Sequence, residues 1–181
     1  MVNEETAELL AGELFPEDAA SVYAVLDGAS VPALVRKLYE LQPEYECLYR
    51  GDLAPDMAEV APYLVRLDPE SVFTRWVLEE GWGHHWGLFA VTDVDMRAAR
   101  RHFRSLLVVY THDGRPQQFR YYDPRVMRIF LPTCNAGELR VVFGPVMTYL
   151  LEDEDPRTLL RFRLAEGALR RESRRVAPAE D

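Results

Sequence analysis

Apolar residues along the chain fall in short blocks whose spacing changes from block to block. Residues 22–26 (VYAVL) form a continuous apolar run closed by Asp27-Gly28, which predicts a buried strand ending in a turn. Leu34, Val35, Leu38 and Leu41 then recur at i, i+1, i+4 and i+7, the stripe of an amphipathic helix, with Ser30 as a cap and Pro32 in the first turn. Residues 45–49 and 62–67 read as a second and third strand; Pro62 is tolerated at a strand's first position. A helix follows from Val72, with Phe73, Trp76 and Val77 on one face and Gly81 placed to stop it. Residues 88–91 make a fourth strand. Asp93 then caps a helix running to Leu107, with Met96, Ala99, Phe103 and Leu106 inward.

In the second half, Asp113-Gly114 between two strand-like runs predicts a β-hairpin. Residues 119–122 read as a strand that turns sharply into a helix. Asp123 is its N-cap and Pro124, with no N–H to lose, its first residue. Strand alternation places one of Tyr121 and Tyr122 in the core and the other outside. Pro132 closes this helix, and residues 136–143 make another, ended by Gly144-Pro145. Residues 146–151 and 158–164 are two further strands joined by an acidic loop. The chain starts with a short acidic helix at 3–12 and a loop from Phe15-Pro16 through the acids after it.

The β-α-β order over 22–49 predicts a parallel pair with a right-handed crossover. The expected fold class is therefore α/β: one mixed, mostly parallel sheet flanked by helices, with a β-hairpin and a strand-to-helix corner at residues 119–131. Residues 1–164 read as a single domain. Residues 165–181 form an Arg-rich C-terminal tail, helical or disordered, that ends in APAED.

Charge refines this picture. The net charge of −9 is uneven: residues 1–95 carry −14, residues 96–130 carry +6 and residues 131–181 carry −1. Such a chain is repelled by nucleic acid as a whole, while a local arginine stripe still suits an acidic partner. No apolar run reaches the roughly 18 residues of a bilayer span, so no membrane partner is expected. The acidic N-terminus lacks the basic and apolar regions of a secretory signal. Cys47 and Cys134 do not make a disulfide framework, and the expected location is cytoplasmic.

Motifs of known chemistry are sparse. His84 and His85 are adjacent and would point to opposite faces of a strand, a poor chelating pair. Neither cysteine has a neighbouring histidine, and no phosphate-cradling glycine pattern sits between a strand and a helix. The Glu152–Asp155 run reads first as a solvated acidic loop. No catalytic residue, metal or cofactor is expected. Arg97, Arg101 and Arg104 share one helix face, and Trp82 and Trp86 stand beside glycines.

Six stretches together resemble one family: YAVLDGA (23–29), CLYRGDLAPDMAEVAPYLVRLDPES (47–71), FTRWVLEEGWGHHWGLF (73–89), FRYYDPRVMRIFLPT (119–133), FGPV (143–146) and EDEDPRTLLRFRL (152–164). They resemble the effector-adaptor proteins, or chaperones, of bacterial type VI secretion systems, the Tap-like and VasW-like adaptors. The resemblance covers about residues 20–164. It implies a binding protein and not an enzyme, one that holds a toxic effector in the cytoplasm and helps load it onto the VgrG spike. The expected partners are a cognate effector and VgrG. Candidate contact residues are Trp82, Trp86, Tyr122 and Arg125 in one set, and Arg97, Arg101 and Arg104 in another. Two alternatives stay open: an immunity protein that neutralises a toxin, and an enzyme with an unrecognised Asp/Arg site.

Overall fold

In the computed structural model, which describes residues 2–16 and 21–177, the chain runs α1 (Glu4–Leu14), β1 (Ser21–Asp27), α2 (Leu34–Leu41), β2 (Tyr45–Cys47), α3 (Pro55–Glu59), β3 (Pro62–Leu67), α4 (Val72–Gly81) and β4 (Gly87–Thr92). It continues through α5 (Met96–Ser105), β5 (Val108–Tyr110), β6 (Pro116–Gln118), α6 (Pro124–Phe130), α7 (Ala136–Phe143), β7 (Val146–Glu152), β8 (Thr158–Ala165) and β9 (Ala168–Arg175). Seven strands form one sheet in the order β2-β3-β1-β4-β7-β8-β9, and β5 and β6 form a separate hairpin. Residues 17–20 of the expected acidic loop and 178–181 of the expected tail lie outside the described residues.

The sheet overturns the mostly parallel arrangement expected from the sequence: its strand pairs are all antiparallel. The connections β1-α2-β2 and β3-α4-β4 each pass over one strand. Strands joined by a helix therefore run the same way, but an antiparallel neighbour separates them. The apolar run of β1 misled for a physical reason. Continuous apolar strands mark a sheet covered on both faces, which parallel sheets always are and this antiparallel sheet also is.

Both cores can be read along β1. Val22, Ala24 and Leu26 point to a core shared with Leu10 and Leu14 of α1, Leu34 and Leu38 of α2, and Phe73 and Val77 of α4. Tyr23 and Val25 point the other way, to Ala99 and Phe103 of α5, Met127 of α6, and Leu139 and Val142 of α7. Gly87 lets β4 close on β1, since a Cβ there would stand 2.1 Å from the Val25 carbonyl oxygen.

Local differences from expectation have local causes. Helix α2 starts from Ala33 in a left-handed conformation with no side-chain cap, because Ser30 instead donates to Asp27 at 2.7 Å. Asp95, not Asp93, caps α5, accepting from Ala98 N–H. Residues 119–122 are turn and coil, so strand alternation does not apply there, and Tyr121 and Tyr122 are both buried. Residues 168–175, where the pattern pointed to helix or disorder, form β9. Apart from Leu169, which packs against the second core, its residues are exposed, so it carries no apolar alternation. A two-residue turn, Glu166-Gly167 with φ of 53° and 77°, sets it on β8.

His102 of α5 lies over α7, its Nε2 3.1 Å from the Val142 carbonyl oxygen. Burial pushes its pKa down, and the Val142 carbonyl opposes this only in part. The unfolded chain then holds the proton more tightly, so this contribution to stability is full above the ordinary histidine value of about 6.5 and is lost as pH falls through it. Thermal melts between neutral and mildly acidic pH should show a decline in the wild type that is flatter in His102→Gln.

Candidate functional site

Among the described residues the buried charged side chains are Asp27, Asp123 and Glu152, and all three stand at one end of the sheet. Asp27 ends β1, and its amide donates to the Trp86 carbonyl at 2.8 Å. Gly87 opens β4 beside it, opposite Leu26. Glu152 ends β7. The turn between α4 and β4, residues 82–86, and the start of α6 fold over this end.

Each acid has a nest of donors. Asp27 accepts from Ala29 N–H at 3.1 Å, from Ser30 Oγ at 2.7 Å and from the Arg120 guanidinium. Glu152 accepts from the amides of Gly83 at 2.6 Å and His85 at 3.0 Å, and pairs with His85 Nδ1. His85 itself has a left-handed backbone, φ 58°. Such a conformation is costly for a non-glycine residue, and the carboxylate that binds its amide and ring holds it there. Asp123 caps α6: Oδ1 accepts from the Arg125 amide at 2.9 Å and from Nε at 3.0 Å, and Oδ2 accepts from Nη2 at 2.7 Å.

The electrostatics follow from this geometry. Burial pushes the Asp123 carboxyl up, but the hydrogen bonds and charge of Arg125 outweigh it, leaving it below the usual carboxylate range. Burial pushes the Arg120 guanidinium down, and the Asp27 carboxylate more than reverses this. Its guanidinium lies 5.9 Å from the Tyr122 ring centre, a cation–π contact. The side chains of Arg120, Arg125 and His85 are 46%, 52% and 34% exposed, whereas their acids are nearly covered. Buried anions thus anchor a half-exposed rim of two guanidiniums and an imidazole.

The two tryptophans brace this end from inside, so they do not line the expected surface groove. Trp82 is 4% exposed and donates through Nε1 to the Pro156 carbonyl at 2.5 Å. Trp86 is 9% exposed, packs on Trp76 at 4.9 Å between ring centres, and lies flat on Gly81. A Cβ at position 81 would stand 2.5 Å from the Trp86 ring, so this glycine serves close approach; it is the last residue of α4, and Trp82 is the C-cap. Tyr122 is also buried. Of the first candidate set only Arg125 reaches the surface, on the outer side of α6.

The arginine set divides as well. Arg97 and Arg101 are exposed. Arg104 instead spans from α5 to the end of β2, donating to the carbonyls of Cys47, Leu48 and Tyr49 at 2.7–2.9 Å. Arg100 pairs with Glu46 at 3.3 Å. Burial raises the thiol pKa of both Cys47 and Cys134, as expected of structural cysteines.

Sequence reasoning missed Asp27, His85 and Glu152 as partners; the structure pairs Arg125 with Asp123 and Arg120 with Asp27. The signal for Asp27 was an acid closing an apolar strand. Glu152 was hidden in an acidic run of which the other members, Asp153 to Asp155, do lie in the loop.

An antiparallel sheet between two helical layers, braced at one end by buried carboxylates, defines the class of protein as a three-layer domain of helices on an antiparallel sheet. Residues 22–141 match a domain of unknown function (DUF4123), and the chain belongs to that family. No curated protein and no solved structure matches it. No described helix is long and apolar enough to cross a membrane.

Two expectations follow for stability. Glu152→Ala removes hydrogen bonds from two part-buried amides to a charged group, each worth about 1.5–3 kcal/mol, whereas Asp123→Ala loses a cap worth roughly 0.5–2 kcal/mol. Denaturant unfolding should therefore rank Glu152→Ala as the more damaging. The arginine face should divide the same way: Arg104→Ala lowers the melting temperature, and the double variant Arg97→Glu/Arg101→Glu leaves it nearly unchanged.

Proposed function

We propose that this protein is an adaptor that binds a type VI secretion effector in the cytoplasm and promotes its loading onto the VgrG spike. The reading rests on the family resemblance, and one observation carries it. Stretches that are far apart in sequence and supply that resemblance converge on a single bonded cluster: Asp27-Gly28, the turn at 81–87, the corner at 121–126 and Glu152. The cluster acts as a framework in this reading. Asp123 and Arg125 bond each other to start α6, and the recognition is done by surfaces that the framework holds in place.

Two such surfaces have the chemistry of protein contact. Arg97 and Arg101 form an exposed cationic pair on α5. The β5–β6 hairpin presents Val108 and Tyr110, 46% and 72% exposed, over an open cleft that also reaches Leu53 and Met57. Tyrosine, methionine and arginine are favoured at protein interfaces.

Coexpression with candidate type VI effector and VgrG spike proteins tests the reading. A tagged copy should co-purify the effector, and the effector should be poorly soluble when expressed alone. If the tagged protein retains neither effector nor VgrG, the adaptor reading fails. Tight inhibition of a toxin's catalytic domain without delivery would mark an immunity protein.

A further inference from the structure

The two edges of the sheet are built differently. At one edge β2 spans three residues, too short to template another strand. At the other, β9 spans eight residues and pairs with β8 in unbroken register, from Thr158↔Arg175 to Ala165↔Ala168. It contains no proline and no bulge, and its only strand neighbour among the described residues is β8. Its other side is therefore an open row of backbone donors and acceptors.

Which groups point outward follows from one bond. The amide of Val176 donates to the Arg157 carbonyl at 2.8 Å, so even-numbered residues of this segment face β8. In an antiparallel ladder the direction alternates, and the N–H and C=O groups of Leu169, Arg171, Ser173 and Arg175 face away from the sheet. The side chains stand on both faces beside this row. Arg170 and Arg174 lie on one face and Arg171 and Arg175 on the other, all exposed. Arg163 lies opposite Arg170 on β8. Residues 158–177 hold six arginines against two glutamates in a chain whose net charge is −9.

Charge is thus the one guard on this edge, and a charge guard is selective. It repels a cationic strand, including the β9 of a second copy, whose four arginines against Glu172 would meet four more. It attracts an anionic one. The exposed Arg171–Asp153 contact at 3.5 Å shows a carboxylate already drawn to this edge. We propose that the β9 edge docks an extended acidic segment of a partner protein as an eighth strand of the sheet. Backbone hydrogen bonds to residues 169, 171, 173 and 175 supply affinity, and acidic side chains meeting the arginines on each face supply selectivity. The inference rests on the adaptor reading for the partner being a protein, and on β9 for where and how it binds.

A fluorescein-labelled peptide of about ten residues built from Glu-Glu-Val-Val repeats, which puts carboxylates on both faces of a strand, tests it by anisotropy with the full chain. Saturable binding is expected, weakened about tenfold by Arg170→Glu/Arg174→Glu and by Ser173→Pro, which removes an outward amide and leaves the β8 ladder intact. The same peptide methylated on alternate backbone nitrogens should lose binding, a readout that needs no change to the protein. Equal affinity for the methylated peptide overturns the inference, because charge alone would then suffice. A wild-type dimer in light scattering that Ser173→Pro dissociates also overturns it, since the edge would be filled by a second copy. If folded Ser173→Pro still captures the effector on coexpression, the docking site is wrong and the adaptor reading stands. If the wild type captures no effector yet binds the acidic peptide through β9, the adaptor reading fails and the edge stands.

Discussion

The burial of three carboxylates at one end of the sheet is the constraint on which the rest of this structure depends. A buried anion is tolerated only when hydrogen bonds and a counter-charge replace water. Asp27 and Asp123 meet that condition with arginines, Arg120 from across the chain and Arg125 two positions on, and Glu152 meets it with two amides and the His85 ring from the distant turn at 83–85. Asp27 draws Arg120 down from before α6, Glu152 draws in the turn at 83–85, and Asp123 fixes the start of α6. Removing an acid would release the donors it holds in place. The end of the sheet is therefore tied together as one unit, although its members lie up to 125 positions apart.

Around that unit the aromatic residues complete the seal. Trp86 lies between Gly81 and Trp76, Trp82 reaches Pro156 in the loop after β7, and Tyr121 donates to the Phe103 carbonyl at 2.9 Å beneath α5. These contacts join α4, α5 and the β7–β8 loop to the same end of the sheet. What remains outside is a rim of two half-exposed guanidiniums and an imidazole, the β5–β6 hairpin, the outer face of α5 and the long edge at β9. A rigid interior with varied outer surfaces suits a protein that acts by binding others, the reading proposed for it.

The corner at residues 119–131 shows what kind of inference survives from sequence to structure. Asp123 and Pro124 act as N-cap and first helical residue because capping is decided by neighbours a few positions away. The strand before it did not form, and both tyrosines turned inward. Their fate depends on Phe103, Asp27 and Arg120, which no local pattern reveals. The candidate surface residues behaved likewise. Trp82, Trp86 and Tyr122 were recognisable as special, but that mark came from packing against glycine and buried charge and not from exposure.

The sequence by itself determined the local elements: the apolar blocks that became β1, β3, β4 and β7, the amphipathic helices, the hairpin turn and the cap of α6. Hydrogen bonding and side-chain spacing within about one turn of chain are enough to specify these. Only the tertiary structure decided that the sheet is antiparallel, because apolar runs look the same in any sheet covered on both sides. It also decided that residues 168–175 become an edge strand, since a strand with nearly all its side chains exposed carries no periodic signal. The meeting of Asp27, Glu152 and the corner was likewise a tertiary outcome, because the free energy of a buried carboxylate is set by partners that only the folded chain brings within reach.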